Sequence, residues 1–242
     1  MFLGSGFILQ RNNQEYLVIT NQHVLRAGEP PYVVETVDGN TYKAEVVSKS
    51  INSPNPQEQF DLAILKFVAQ TDYATAKVGN SSHLEVGERV FAAGFPAQEL
   101  ISPQTSAVLA QPNIFTTRKL SLKLGRVSII LNQALVEGYQ IAYTNDVKKG
   151  MSGGALLNSQ GEVVGINGKH AYPLWESPEI YQDGSEPCSA LQEVITRSSL
   201  AIPIEKTMAL TTQTTKLDSQ QLPTELEIPL PISPPRTRTS AN

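Results

Sequence analysis

Ser152 stands in Gly150-Met151-Ser152-Gly153-Gly154-Ala155, a small-residue turn that leads into a pair of apolar runs broken by Gln160-Gly161. Glycine reaches backbone conformations closed to residues with side chains, so the amides of Gly150, Met151 and Ser152 can converge on one point. Such a point suits an oxyanion. By itself a turn of this kind is ordinarily a hairpin, and a serine hydroxyl is a poor nucleophile until a base accepts its proton and a third group orients that base. Two upstream segments offer those partners. In Tyr16-Leu17-Val18-Ile19-Thr20-Asn21-Gln22-His23 an apolar strand ends at a Thr-Asn pair, and the histidine follows at the start of a short helical turn. In Phe60-Asp61-Leu62-Ala63-Ile64-Leu65 an acid stands at the mouth of an apolar strand, suited to receive an imidazole N–H.

The segments ITNQHVL, DLAILKF and GMSGGALLNSQGEVVGING together resemble the three catalytic blocks of trypsin-like, chymotrypsin-fold serine peptidases. The likeness is strongest to bacterial, disulfide-free members, among them the Deg/HtrA peptidases and a cyanobacterial group. It implies an all-β fold of two six-stranded β-barrels with the site between them. It also implies a triad of His23, Asp61 and Ser152, an oxyanion hole from the amides of Gly150, Met151 and Ser152, and a protein or peptide substrate. The chemistry of the family needs no metal and no organic cofactor. In the family the residue six before the serine lies at the base of the primary pocket. Here that residue is Asp146, whose carboxylate would favour Arg or Lys side chains, with Lys148 and Lys149 near enough to neutralise it. The opposite wall of the pocket is expected from Ile166, Asn167 and Gly168.

The order of the residues excludes a rival. Gly150-Met151-Ser152-Gly153-Gly154 also spells the nucleophile elbow of α/β-hydrolases, but that fold places the acid and then the histidine after the serine. Only His170 follows Ser152, Glu162 is the one acid between them, and the chain continues as a hairpin where an elbow needs a helix. A histidine after a strand is commonly a cap and an acid before one commonly a turn residue; the conjunction in family order carries the assignment. His83, in a polar connector, reads as a surface residue.

Composition sets the limits. The chain has 242 residues, 40% of them hydrophobic, enough for one large all-β unit or two small ones. A net charge of −4 gives no basic footprint for nucleic acid, and no apolar run is long enough for a membrane span. The single cysteine, Cys188, rules out an intrachain disulfide, so the fold stands on packing alone.

Strands are expected at 15–20, 33–37 and 41–47, the last two around the hairpin turn Asp38-Gly39-Asn40. The loop 52–59 delivers Asp61. A first barrel over 1–77 would hold His23 and Asp61. A second over 78–210 would hold Ser152, with a strand at 87–94, a long loop over 97–117, and strands at 122–131, 139–144, 155–158, 162–167 and 200–204. A short helix over 205–210 closes it. Met1-Phe2-Leu3-Gly4-Ser5-Gly6 lacks the charged start and the unbroken apolar stretch of a signal peptide and reads as a strand. Family members usually carry another strand before it, so either the start codon is misassigned, or the chain is a fragment, or the barrel closes differently.

The segment 169–198 reads as an insertion, with helical spacing of Leu191, Val194 and Ile195. It covers the cleft, or shapes a pocket, or its aromatic residues, Tyr172 and Trp175, simply pack it onto the barrel. Residues 211–242 hold five prolines and no aromatic and read as a disordered tail. Compartment and oligomeric state are not legible. Beside a serine endopeptidase, two other readings fit: a catalytically inactive domain that binds extended peptides, and an interaction module tethered by the tail.

Overall fold

The computed structural model of the chain describes residues 4–50, 59–97, 119–172, 178–208 and 210. Strands β1 (Phe7–Asn12), β2 (Glu15–Thr20), β3 (Tyr32–Glu35), β4 (Thr41–Lys49) and β5 (Ala63–Val68) form one antiparallel sheet in the order β1-β2-β5-β4-β3. Strands β6 (Arg89–Gly94), β7 (Ser121–Ile130), β8 (Ile141–Tyr143), β9 (Ala155–Leu157), β10 (Val163–Lys169) and β11 (Ser199–Pro203) close into a six-stranded barrel in the order β10-β11-β8-β7-β6-β9. This is the all-β, chymotrypsin-like arrangement of two units. Among the described residues the first unit is an open sheet with β1 and β3 at its edges.

The apolar runs of β2 and β5 follow from where these strands lie. Side chains alternate between the faces of a strand, so a strand buried on both faces reads as continuous hydrophobicity. Tyr16, Val18, Ala63, Leu65 and Phe67 fill the core of the sheet with Tyr42 and Val46 of β4. Ile19, Leu62 and Ile64 face the other way and pack with Leu131, Tyr139, Ala155 and Ile166 of the barrel half. One core thus joins the two units, directly behind the residues of interest.

Register does the positioning. β2 and β5 pair from Glu15 opposite Val68 to Thr20 opposite Ala63. The end of β2 therefore meets the start of β5, which sets Asn21 and the helix α1 (Gln22–Arg26) beside Asp61. In the barrel, β9 and β10 form a hairpin with Ala155 opposite Ile166. Upstream of it, Gly153 N–H donates to Asn167 O at 2.8 Å and Asn167 N–H to Gly154 O at 2.9 Å, so the Ser152 turn is bonded to β10.

The expected strand over 139–144 is shorter in the structure. Gly138 N–H donates to Leu135 O and Leu135 N–H to Tyr139 O, so residues 135–139 form a tight turn and the strand begins only at Ile141. Tyr181, Leu191 and Ile195, from the described part of 169–198, pack against the shared core. Tyr172 does not contribute, being 63% exposed. A helix α2 (Ser189–Thr196) lies where the spacing placed one, and helical residues occur at 206–208 and 210. Trp175, the loops expected over 52–59 and 97–117, and the tail 211–242 lie wholly or almost wholly outside the described residues. No helix among the described residues is long and apolar enough to cross a membrane.

Candidate active site

Asp61 is buried, its side chain wholly without exposure. Its main chain is held first: Asp61 N–H donates to Glu137 O at 2.9 Å, and Asn21 Nδ2 donates to Asp61 O at 2.8 Å. Its carboxylate is held next. His23 N–H donates to Oδ1 at 2.8 Å, while Oδ2 takes the Tyr139 hydroxyl at 2.6 Å and lies 2.5 Å from His23 Nδ1. A buried carboxylate is tolerable only when hydrogen-bonded in this way. Arg26 adds a cation 3.8 Å from Oδ1 and pairs with Glu137 at 2.8 Å. Since an ionised carboxylate only accepts, the proton of a neutral His23 belongs on Nδ1 and Nε2 is left as a free acceptor.

Ser152 is half-buried, and its Oγ donates to Gly168 O at 3.1 Å. Gly150 and Gly153 take φ of +93° and +86°, the left-handed region that glycine enters without strain. A Cβ on Gly153 would also stand 2.2 Å from Ser5 O and 2.3 Å from Thr20 Oγ1, so only glycine lets the turn sit this close to the end of β2. Ser5 completes the joint. Its amide donates to Ser152 O at 2.7 Å, its hydroxyl donates to Gly150 O at 2.7 Å and accepts from Phe95 N at 2.7 Å, and its carbonyl accepts from Thr20 Oγ1 at 2.8 Å. The turn is thereby fixed from both units.

Among the described residues the amides of Gly150 and Ser152 have no acceptor. The amide of Met151 differs from the expectation: it donates to Lys148 O at 3.0 Å, closing a turn, and so is withdrawn from any oxyanion site.

The expected pocket residues are placed differently as well. Burial alternates along 145–147. Asn145 points inward, its Nδ2 donating to Val90 O and Lys123 O, Val147 joins the barrel core, and Asp146 between them points outward. Its carboxylate pairs with Lys148 at 3.0 Å on the surface, which argues against Asp146 as the base of a pocket. Ile166 and Asn167 are fully buried, and Asn167 spends its side chain inside the barrel on Tyr143 Oη, Ala93 O and Ala155 O. Only Gly168 of that wall meets Ser152. We expect Asp146→Asn to change kcat/KM on peptides ending in Arg or Lys by less than about twofold, as for other exposed ion pairs; a tenfold loss confined to basic side chains would restore Asp146 to the pocket.

Tyr139, Ser5, Asn21 and Arg26 were not expected at the site. Tyr139 and Tyr143 are fully buried, and burial, joined for Tyr139 by the Asp61 charge, raises both phenols well above the ordinary tyrosine range. A phenol neutral in the fold but ionised in the unfolded chain contributes stability that is complete below about pH 10 and is lost as pH rises toward the folded value. Two such groups predict a loss of about 2.7 kcal/mol per pH unit above that point. Denaturant midpoints measured from pH 9 to 11.5 check it, and a flat profile would refute the burial argument.

Comparison with known proteins places the fold in a family. The trypsin-like peptidase domain family matches residues 4–166. The serine protease Do-like HtrA of Lactobacillus helveticus is 34% identical over 165 residues, covering 68% of this chain and 35% of that protein. Its namesake in Bacillus subtilis (strain 168) is 32% identical over 165 residues, covering 68% of this chain and 32% of that protein. The chain thus spans about a third of the length of these relatives. Among solved structures, the HtrA-type protease AlgW with decapeptide superposes with a TM-score of 0.58 at 22% identity, covering 88% of this chain and 52% of that one, a likeness of fold. On the match over residues 4–166, the chain belongs to the trypsin-like peptidase family.

Proposed function

We propose that the chain is a serine endopeptidase that works through a His23-Asp61-Ser152 triad and an acyl-enzyme. The observation that carries this reading is His23 held by Asp61 at both its amide and Nδ1, which aims a free Nε2 away from the carboxylate. Ser152 Oγ leaves Gly168 O, gives its proton to His23 Nε2 and bonds to the peptide carbonyl carbon. The carbonyl π electrons move to oxygen, where the amides of Gly150 and Ser152 receive the oxyanion; a donor of this kind contributes on the order of 3 kcal/mol. His23 returns the proton to the leaving amine, and water repeats the sequence to release the acid. Asp61 keeps the imidazole tautomer and stabilises the imidazolium. The substrate is a protein or peptide; the HtrA-type protease AlgW, similar in fold, is described with a decapeptide. The same reading divides the chain near residues 77 and 78, with the cleft between the two parts.

One observation favours a second reading. Ser152 Oγ bonds to Gly168 O, and among the described residues no hydrogen bond joins it to His23. A catalytically silent domain that binds extended peptides would have such a serine. Catalytic hydrogen bonds are often unformed without substrate, so the endopeptidase remains the stronger proposal. A fluorophosphonate probe separates the two: covalent labelling of Ser152 supports the triad, and a folded protein that stays unlabelled supports the silent reading.

A further inference from the structure

Tyr139 belongs to none of the three catalytic segments, yet it touches the site twice. Its hydroxyl donates at 2.6 Å to Asp61 Oδ2, the oxygen that also faces His23 Nδ1. Its ring lies against Gly168, where a Cβ would stand 2.3 Å from Tyr139 Oη and Cε1, and Gly168 O is the acceptor of Ser152 Oγ. The ring therefore fills the space between the acid and the strand that holds the nucleophile. Its own main chain is fixed by the turn 135–139, and the same turn supplies Glu137 O to the amide of Asp61. One turn of the barrel half thus grips Asp61 at both backbone and carboxylate.

We propose that Tyr139 is a positioning residue for the catalytic acid, its hydroxyl orienting the Asp61 carboxylate and sharing the charge of Oδ2 with His23. The proposal rests on the triad reading above. With His23 N–H on Oδ1 and His23 Nδ1 on Oδ2, the carboxylate has its plane defined from one side only; the phenol defines it from the other. A charge-assisted donor also disperses negative charge on the oxygen it meets. Without it, Oδ2 holds a protonated His23 more tightly, and a protonated imidazole cannot accept the serine proton.

The other charged groups around this cluster are held by partners other than the Tyr139 hydroxyl. Arg26 lies 3.8 Å from Asp61 Oδ1 and is paired with Glu137. Lys169 Nζ sits 4.9 Å from the centre of the Tyr139 ring and is tied to Glu179 at 2.7 Å. Neither cation touches Oδ2, so neither replaces the lost donor. The consequence has a sign: removing the hydroxyl moves the acid limb of activity to higher pH.

The test is Tyr139→Phe, followed by the pH dependence of fluorophosphonate labelling and by kcat and KM on a peptide. We expect the midpoint of the acid limb to rise by about half to one pH unit and kcat near neutrality to fall roughly tenfold, with KM within about twofold. A merely structural role would lower the melting temperature and leave the midpoint unmoved. A fluorinated tyrosine introduced at position 139 keeps the ring in place and strengthens the donor, so it should move the midpoint down. Opposite shifts from the two substitutions support the proposal. Unchanged midpoints in a wild-type background that labels normally overturn it while leaving the peptidase reading intact. Should the wild-type protein fail to label, the peptidase reading fails instead, and the proposal, which rests on it, falls as well.

Discussion

On the proposed triad, replacing Ser152 with alanine is expected to lower turnover by on the order of a millionfold, the loss seen when the nucleophile of such a triad is removed. The magnitude follows from what remains. Without the hydroxyl, there is no serine proton for His23 to accept and no acyl-enzyme can form, so only direct water attack with its transition-state stabilisation is left. The amides of Gly150 and Ser152 survive the change because they belong to the backbone, and Ser5 still fixes the turn through Ser152 O and Gly150 O. Residual catalysis over water of about a thousandfold or more is therefore expected. The fold should barely notice. Among the described residues Ser152 Oγ makes one hydrogen bond, to Gly168 O, so stability should change by about 1 kcal/mol. Peptide affinity should stay within a few-fold, since the hydroxyl contributes mainly in the transition state. Single-turnover kinetics with a peptide, beside an equilibrium binding measurement, separates these quantities. Cleavage within a hundredfold of wild type would remove Ser152 from the mechanism.

The local segments of the site were legible because each is written in contiguous residues. The ends of β2 and β5, the helical turn of His23 and the glycines flanking Ser152 show in the text as apolar runs with abrupt polar stops. Their meeting follows from antiparallel pairing of two strands whose register is set by burial on both faces. What stayed hidden depends on partners distant in sequence. Tyr139 lies 78 residues from Asp61, and its hydroxyl is used only because a tight turn aims it back across the interface. Ser5 reads as an ordinary residue between glycines, although it is 145 residues from the carbonyl of Gly150 that its hydroxyl meets. Asp146 misled for the converse reason. Counting back from the serine gives a position but not a direction, and the strand-like alternation fixed by Asn145 and Val147 turns Asp146 to solvent. Met151 likewise had an amide in the right place along the chain, with its donor already spent on Lys148.

Asp61→Asn is expected to lower kcat by about ten-thousandfold at neutral pH, and the geometry here says why. Asp61 accepts from three directions: His23 N–H on Oδ1, with His23 Nδ1 and the Tyr139 hydroxyl on Oδ2. An asparagine offers one oxygen and one NH₂, so it cannot serve all three. If its oxygen takes the place of Oδ1, the bond to His23 N–H survives and the NH₂ faces Nδ1. His23 must then accept there and carry its proton on Nε2, the tautomer that cannot receive the proton of Ser152. With the amide turned the other way, its oxygen still accepts from His23 Nδ1 and Tyr139, but the NH₂ opposes the main-chain N–H of His23 and two donors meet in a buried site. The first arrangement costs less and is the one to expect, because it leaves the phenol of Tyr139 free to rotate its proton away. The variant should fold, bind peptide and keep its turn at Ser152, yet react slowly with a fluorophosphonate. Comparing its labelling rate with that of wild type across pH 6 to 9, alongside kcat on a peptide, tests the argument. A variant that labels within tenfold of wild type would mean that Asp61 serves the fold and not the orientation of His23.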